Sequence, residues 1–112
     1  LIKNNGGSFT SYIGQVLAEK GYIEEAYEIA MNLIEKNDYD YAEDIGKALA
    51  ENGGEEEAKE IAMNLIEKNV FNGFSTIVRA LVENGGLEQA NEITCQINNR
   101  NNANSQSYCT IS

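Results

Sequence analysis

The sequence predicts an all-α fold built from a repeated pair of helices, and two observations predict it. A glycine recurs every 32 residues at Gly21, Gly53 and Gly85, each time in the same local context. Residues 29–37 and 61–69 are identical, and residues 93–101 are a diverged third copy. A period of this length is typical of stacked supersecondary units, none of which can bury its apolar face alone.

The first helix of each repeat is predicted from apolar residues at helical spacing. In the first copy these are Ile13, Val16 and Leu17, and the spacing recurs in the other two copies. Helices are therefore expected over about residues 8–20, 40–52 and 72–84, with Ser8 as the N-cap of the first. Gly21 and its two equivalents follow these helices, where the chain needs a left-handed residue to end them.

The second helix of each repeat is predicted to begin directly after that glycine. Its first turn is rich in carboxylates, which interact favourably with the positive end of the helix dipole. These are Glu24, Glu25, Glu55, Glu56, Glu57 and Glu88. An apolar stripe follows, formed by Ala26, Ile29, Ala30, Leu33 and Ile34 and repeated 32 residues later. Because the connections are short, neighbouring helices are expected to be antiparallel.

These patterns predict a single domain over residues 1–112, a length that suits one hydrophobic core. The repeats are placed at about residues 8–38, 39–70 and 71–102. Continuing the same frame outward places partial flanking helices at residues 1–5 and 104–112.

The repeat resembles the tetratricopeptide repeat (TPR) family. The positions that carry the resemblance are Gly14 and Gly46 within the first helix, Leu17, Leu49 and Leu81 three residues further on, the turn glycines, and Ala26, Ala58 and Ala90. The chain departs from that family in its shorter period and in having no proline, so it is called TPR-like. The resemblance implies a right-handed α-solenoid of stacked antiparallel helix hairpins, with about three and a half repeats.

The same resemblance implies that a concave face, lined by the exposed positions of the first helices, binds a protein or peptide. By alignment these positions are Ser8, Ser11, Gln15, Glu19, Asp40, Glu43, Lys47, Glu51, Asn72, Ser75, Arg79 and Glu83. Gln15, Lys47 and Arg79 are equivalent and are expected to form one ladder along the groove.

Composition argues against several other functions. The formal net charge of −10 excludes a nucleic-acid partner held by clustered cations. No apolar run approaches the ~20 residues that span a bilayer. The chain has no histidine and no motif that activates a nucleophile, so neither catalysis nor a cofactor is expected. Asp38 and Asp40 lack the remaining ligands of a calcium loop and are interpreted as helix-capping residues.

Two surface features have alternative interpretations. The glutamates at the starts of the second helices form either an acidic binding edge or, as we favour, a solvated face. Tyr22, Tyr27, Tyr39 and Tyr41 surround the first junction between repeats, where aromatic residues more often fill a core than a ligand pocket.

Cys95 and Cys109 are the two cysteines of the chain. They are either two small core residues, the usual state in a reducing compartment, or an intramolecular disulfide that contributes about 3 kcal/mol. The disulfide interpretation favours a secreted, extracellular protein over a cytoplasmic one.

The sequence therefore predicts a non-catalytic protein–protein interaction scaffold. The alternative is a structural subunit that stacks on copies of itself to form an extracellular filament or fibre. In that case Leu1 and Ile2 at one end would contact Tyr108 and Ile111 at the other, since all four fall in register with apolar positions of the repeat.

Overall fold

The structure is a computed structural model that describes the backbone of residues 2–70 and 74–101 and the side chains of residues 9–70 and 74–97. This part of the chain forms six α-helices and contains no β-strand, which confirms the all-α prediction. The helices are α1 (Ile2–Glu19), α2 (Ile23–Glu35), α3 (Tyr39–Glu51), α4 (Glu55–Glu67), α5 (Phe74–Glu83) and α6 (Leu87–Asn101).

The helices contact one another in a regular order. Within the described residues, each helix contacts the next helix along the chain and the one after it, and no helix contacts one further away. The odd-numbered helices α1, α3 and α5 therefore lie side by side, and the even-numbered helices α2, α4 and α6 form a second layer. This arrangement places equivalent residues of successive repeats next to each other.

Each odd-numbered helix ends at its glycine, as predicted. The backbone φ of Gly21, Gly53 and Gly85 is +92°, +93° and +89°. The N–H of the following residue donates back into the helix, from Tyr22 to the Leu17 carbonyl at 2.9 Å and from Gly54 to the Leu49 carbonyl at 2.7 Å. This is the Schellman motif, in which a left-handed residue lets the chain satisfy a terminal carbonyl as it turns.

The even-numbered helices α2 and α4 end in the same way, but with asparagine. Asn37 and Asn69 have φ values of 66° and 64°. The next N–H groups, of Asp38 and Val70, donate to the carbonyls of Leu33 and Leu65, both at 2.8 Å. Asparagine is the residue besides glycine that adopts this conformation most readily.

Helix α1 differs from the prediction at its N-terminal end. It begins at Ile2 and runs without interruption through Gly6 and Gly7, so Ser8 lies inside a helix and is not an N-cap. Residues 2–5 likewise belong to α1 rather than to a separate flanking helix. Each glycine costs a helix only about 1 kcal/mol, whereas starting a separate helix requires a new nucleus. The predicted flanking helix at 104–112 lies outside the described residues.

Small residues hold the two layers and successive repeats close together. Ala26, Ala30, Ala58 and Ala62 are fully buried, as are the large aliphatic side chains Ile45, Leu49, Ile77 and Leu81 of α3 and α5. At Gly14, an added β-carbon would lie 2.5 Å from Cδ1 of Ile45 in the next odd-numbered helix. The packing therefore depends on a glycine in one repeat receiving an isoleucine from the next.

Candidate functional site

The candidate site is an open groove between α3 and α5. We call it the α3–α5 groove, and its volume is about 470 Å³. It is lined by Lys47, Glu51, Ser75, Thr76, Arg79, Ala80 and Glu83. The same two helices bury Ile45, Leu49, Ile77 and Leu81 on their other side. The 3.6-residue period of the helix thus separates residues that hold the fold from those that line the groove.

The cations of the groove each pair with a carboxylate one turn along the same helix. Lys47 Nζ lies 3.2 Å from Glu51 Oε2, and Arg79 Nε lies 3.4 Å from Glu83 Oε2. All four side chains are exposed. Because exposed pairs at this spacing contribute only about 0.3–0.5 kcal/mol, a ligand could replace either carboxylate or either cation at small cost.

A polar contact links the two helices beside the groove. The carboxylate of Glu43, on α3, accepts a hydrogen bond from the side chain of Thr76, on α5. Partial burial raises the pKa of Glu43, the Thr76 hydrogen bond partly offsets this, and the neighbouring Asp44 and Asp40 raise it further. Burial and Asp40 raise the pKa of Asp44 as well, while Lys47 lowers it. Negative charge is therefore concentrated near the start of α3.

The structure brings together part of the predicted concave-face set. Lys47, Ser75 and Arg79 line the groove together with Glu51 and Glu83. Glu19 and Asp40 are exposed but do not line it, and Glu43 is half-buried. Asn72 and the side chain of Ser8 lie outside the described residues.

Two residues of the first repeat do not behave as the alignment predicts. Ser11, expected on the exposed face, is buried, and its hydroxyl donates to the Tyr41 carbonyl at 3.2 Å. Gln15 Nε2 donates to Ser11 Oγ at 3.1 Å, and Gln15 is not among the residues that line the α3–α5 groove. The cause is the packing of α1 against α3, which brings the Ser11 hydroxyl within reach of the Tyr41 carbonyl, and a carbonyl oxygen can accept a second hydrogen bond beside its helical one.

Thr76 and Ala80 line the groove but were not predicted. The alignment of the three repeats predicted one groove-lining residue in each helical turn. Thr76 is adjacent in sequence to Ser75 and reaches the groove because two helices packed side by side present more than one row of side chains to the space between them. The sequence did contain an indication of this role, because Thr76 and its equivalent in the preceding repeat, Asp44, are both polar.

The acidic starts of the even-numbered helices are partly used to join repeats. Lys59 Nζ lies 2.7 Å from Glu92 Oε1 on α6 and 3.2 Å from Glu56 Oε1 on its own helix. Gln89 Nε2 also donates to Glu56 Oε2 at 3.1 Å. The Glu92 hydrogen bond, followed by Glu56, raises the pKa of Lys59, while hydrogen bonds from Gln89 and then Lys59 lower the pKa of Glu56. These groups link α4 to α6.

The tyrosines around the first junction have different environments. Tyr27, Tyr39 and Tyr41 are half-buried and pack against the core, and the Tyr39 hydroxyl donates to Asn37 Oδ1 at 2.7 Å. Tyr22 is exposed. Asp38 occupies the predicted N-cap position of α3, but its side chain makes no capping hydrogen bond.

The predicted contacts at the chain ends fall mostly outside the described residues. Cys95 is half-buried on α6 and is not a free thiol, whereas Cys109 lies outside the described residues, so the predicted pairing stays a prediction. Leu1, Tyr108 and Ile111 also lie outside them, and Ile2 is described only as the first residue of α1.

Within the described part of the chain, no group of three or more acidic, cysteine or histidine side chains is arranged to hold a metal ion. In the same part, no helix combines the length and the apolar character needed to cross a membrane. Comparisons with protein families, with curated proteins and with solved structures find no match for this chain.

Proposed function

We propose that the chain is a non-catalytic, TPR-like interaction scaffold that binds a segment of another protein in the α3–α5 groove. In this proposal the six helices belong to a right-handed α-solenoid of about three and a half repeats. The chain binds without a cofactor and acts by presenting side chains on a rigid helical frame.

The proposal rests on one observation: α3 and α5 each bury apolar side chains on one side and expose charged side chains on the other. Lys47 and Arg79 are exposed beside a groove, while Leu49 and Leu81 on the same helices are fully buried. Polar groups on rigid helices are already positioned before a ligand arrives, which lowers the entropy cost of binding. These features make the groove a surface suited to recognise a partner.

The charges of the groove indicate the kind of segment it would accept. Each of the two cations is paired with a carboxylate of its own helix, so the four charges cancel. A segment with basic and acidic residues in alternation could replace both internal ion pairs with intermolecular ones. The Thr76 hydroxyl, whose proton is donated to Glu43, can still accept a hydrogen bond from a backbone N–H of the segment.

The proposal is tested by selecting peptide ligands from a random library displayed on phage and measuring their affinity for purified chain. The Lys47→Ala/Arg79→Ala double variant should weaken selected peptides about tenfold or more, as expected when charged contacts are lost from the centre of an interface. NMR shift mapping should place the peptide on α3 and α5.

A matched control distinguishes the groove from a general effect of charge. Lys36→Ala/Lys68→Ala removes the same two positive charges from exposed positions after α2 and α4, away from the groove. It should leave affinity unchanged. Equal loss in both double variants, or shifts confined to the even-numbered helices, would refute binding in the groove.

The alternative function, an end-to-end filament, has less support in the packing. Internal junctions place an isoleucine against Gly14 or Gly46, but the equivalent residue of the third repeat is Val78. In the repeat frame the position opposite Val78 belongs to Cys109 of the same chain, and the end contacts that a filament needs lie mostly outside the described residues. The interaction scaffold, which has a described groove, is therefore the function we propose.

A further inference from the structure

The outward face of α1 carries large apolar side chains that are exposed. Phe9 is 64% exposed, Tyr12 63% and Ile13 38%, and Tyr22, just after the helix, is 56% exposed. We call these four residues the α1 face. Phe9, Tyr12 and Ile13 have the spacing that places side chains on one side of a helix. Such a concentration of apolar groups is typical of an interaction surface.

The α1 face differs from the equivalent positions of the other repeats. Tyr12 stands where the later repeats have Asp44 and Thr76, and Tyr22 stands where they have Gly54 and Gly86. An added β-carbon at Gly54 would lie 3.1 Å from Ile23 of the preceding repeat. A hairpin packed on α1 in the internal register would thus collide with Tyr22, so the face is suited to a different geometry.

The distribution of charge indicates which partner can use this face. All 18 carboxylates of the chain lie between Glu19 and Glu92, and residues 1–18 contain none. A second copy that approached through any acidic surface would be repelled, since the net charge is −10. Phe9, Tyr12 and Ile13 of two copies can meet with no carboxylate among them, whereas Glu19 and Glu24 flank Tyr22 at the edge of the face.

We propose that the α1 face binds the α1 face of a second copy in a two-fold dimer. The same surface is used on both copies, so the contact is isologous and closes after two chains. Paired tyrosine and phenylalanine rings would supply the buried area, because aromatic residues bury a large surface at low entropic cost. This association is separate from the α3–α5 groove and does not depend on its ligand.

The test is sedimentation equilibrium of the 112-residue chain at concentrations up to about 1 mM. Tyr12→Asp and Tyr22→Gly each install the residue that an internal repeat carries at that position, so the helical fold should tolerate them. Each should raise the dimer dissociation constant about tenfold or more. Circular dichroism checks that the variants remain folded.

Leu87→Glu is the matched control, because it likewise installs the residue of an internal repeat, Glu55, at an exposed apolar position of the opposite end. It should leave the dimer unchanged. Isotope-filtered NOEs in a mixture of labelled and unlabelled wild-type chain should connect Phe9, Tyr12 and Ile13 across the interface.

Three outcomes would overturn the proposal. A wild-type chain that stays monomeric throughout this range shows that the face belongs to a different partner. Equal weakening by Leu87→Glu and Tyr12→Asp shows head-to-tail association. Intermolecular NOEs confined to other helices place the dimer contact elsewhere.

Discussion

A β-carbon on Gly46 would lie 2.6 Å from Cδ1 of Ile77, so the missing side chain at Gly46 is what allows α5 to approach α3. Gly14 and Ile45 repeat the relationship between α1 and α3. Ile45 and Ile77, the isoleucines that pack against these glycines, are fully buried and have little freedom to move away. The spacing between successive repeats therefore depends on one glycine in each of the first two repeats.

Gly46→Ala should destabilise the protein although alanine is the better helix former. Overpacking a core typically costs about 1–3 kcal/mol, and the propensity gain of about 1 kcal/mol offsets only part of that. Ile77→Val removes the atom that clashes and should partly rescue the alanine variant. Urea unfolding of both single variants and the double variant measures this coupling. Additive losses would contradict the proposed contact.

Gly53→Ala should also destabilise the protein, but for a different reason. A β-carbon at Gly53 would meet no atom within 4 Å, so the cost comes from its φ of +93° alone. We expect a loss of about 1–2 kcal/mol, the penalty of left-handed backbone for an L-residue. A synthetic chain with D-alanine at this position should keep the wild-type stability or exceed it. If the D- and L-alanine chains unfold at the same urea concentration, backbone strain is not the cause.

The all-α fold and most helix ends could be predicted from the sequence, because helical spacing and turn glycines depend on residues that are close together in the chain. Gly21 ends α1 as predicted, whereas Asn37 was not recognised as a stop although Asn69 repeats it. Burial of Ser11 could not be predicted, since it depends on the Tyr41 carbonyl, 30 residues away in sequence. Five lining residues of the groove were predicted, namely Lys47, Glu51, Ser75, Arg79 and Glu83, whereas Thr76 was missed because it reaches the groove through the packing of two helices.

On α3, substitution of a buried residue should lower the free energy of unfolding, whereas substitution of a groove residue should not. Leu49 is fully buried, and Leu49→Ala should cost about 2–5 kcal/mol through lost contacts and a cavity. Lys47→Ala, two residues away, should change stability by less than about 0.5 kcal/mol because its ion pair with Glu51 is exposed. Chemical denaturation of both variants provides the measurement. A large loss in Lys47→Ala would mean that the lysine stem packs against the core.

Glu43→Gln should stabilise the protein at neutral pH. Burial raises the pKa of Glu43 in the folded state, so the ionised carboxylate opposes folding at a pH above that pKa. The amide carries no charge, and its oxygen can still accept the hydrogen bond from Thr76. Because the group is only half-buried, the gain should be at most about 1 kcal/mol.

The sign of the pH dependence distinguishes this cause from a general reduction of charge. As the pH falls through the raised folded-state pKa towards the unfolded value, Glu43 becomes protonated first in the folded protein, and its penalty disappears. The stability difference between Glu43→Gln and wild type should therefore be largest near pH 7 and shrink towards pH 4. Urea unfolding across this range measures it, with Glu67→Gln as an exposed control that removes the same charge. If the two variants differ from wild type by the same amount at every pH, burial of Glu43 is not the cause, and net charge alone explains the gain.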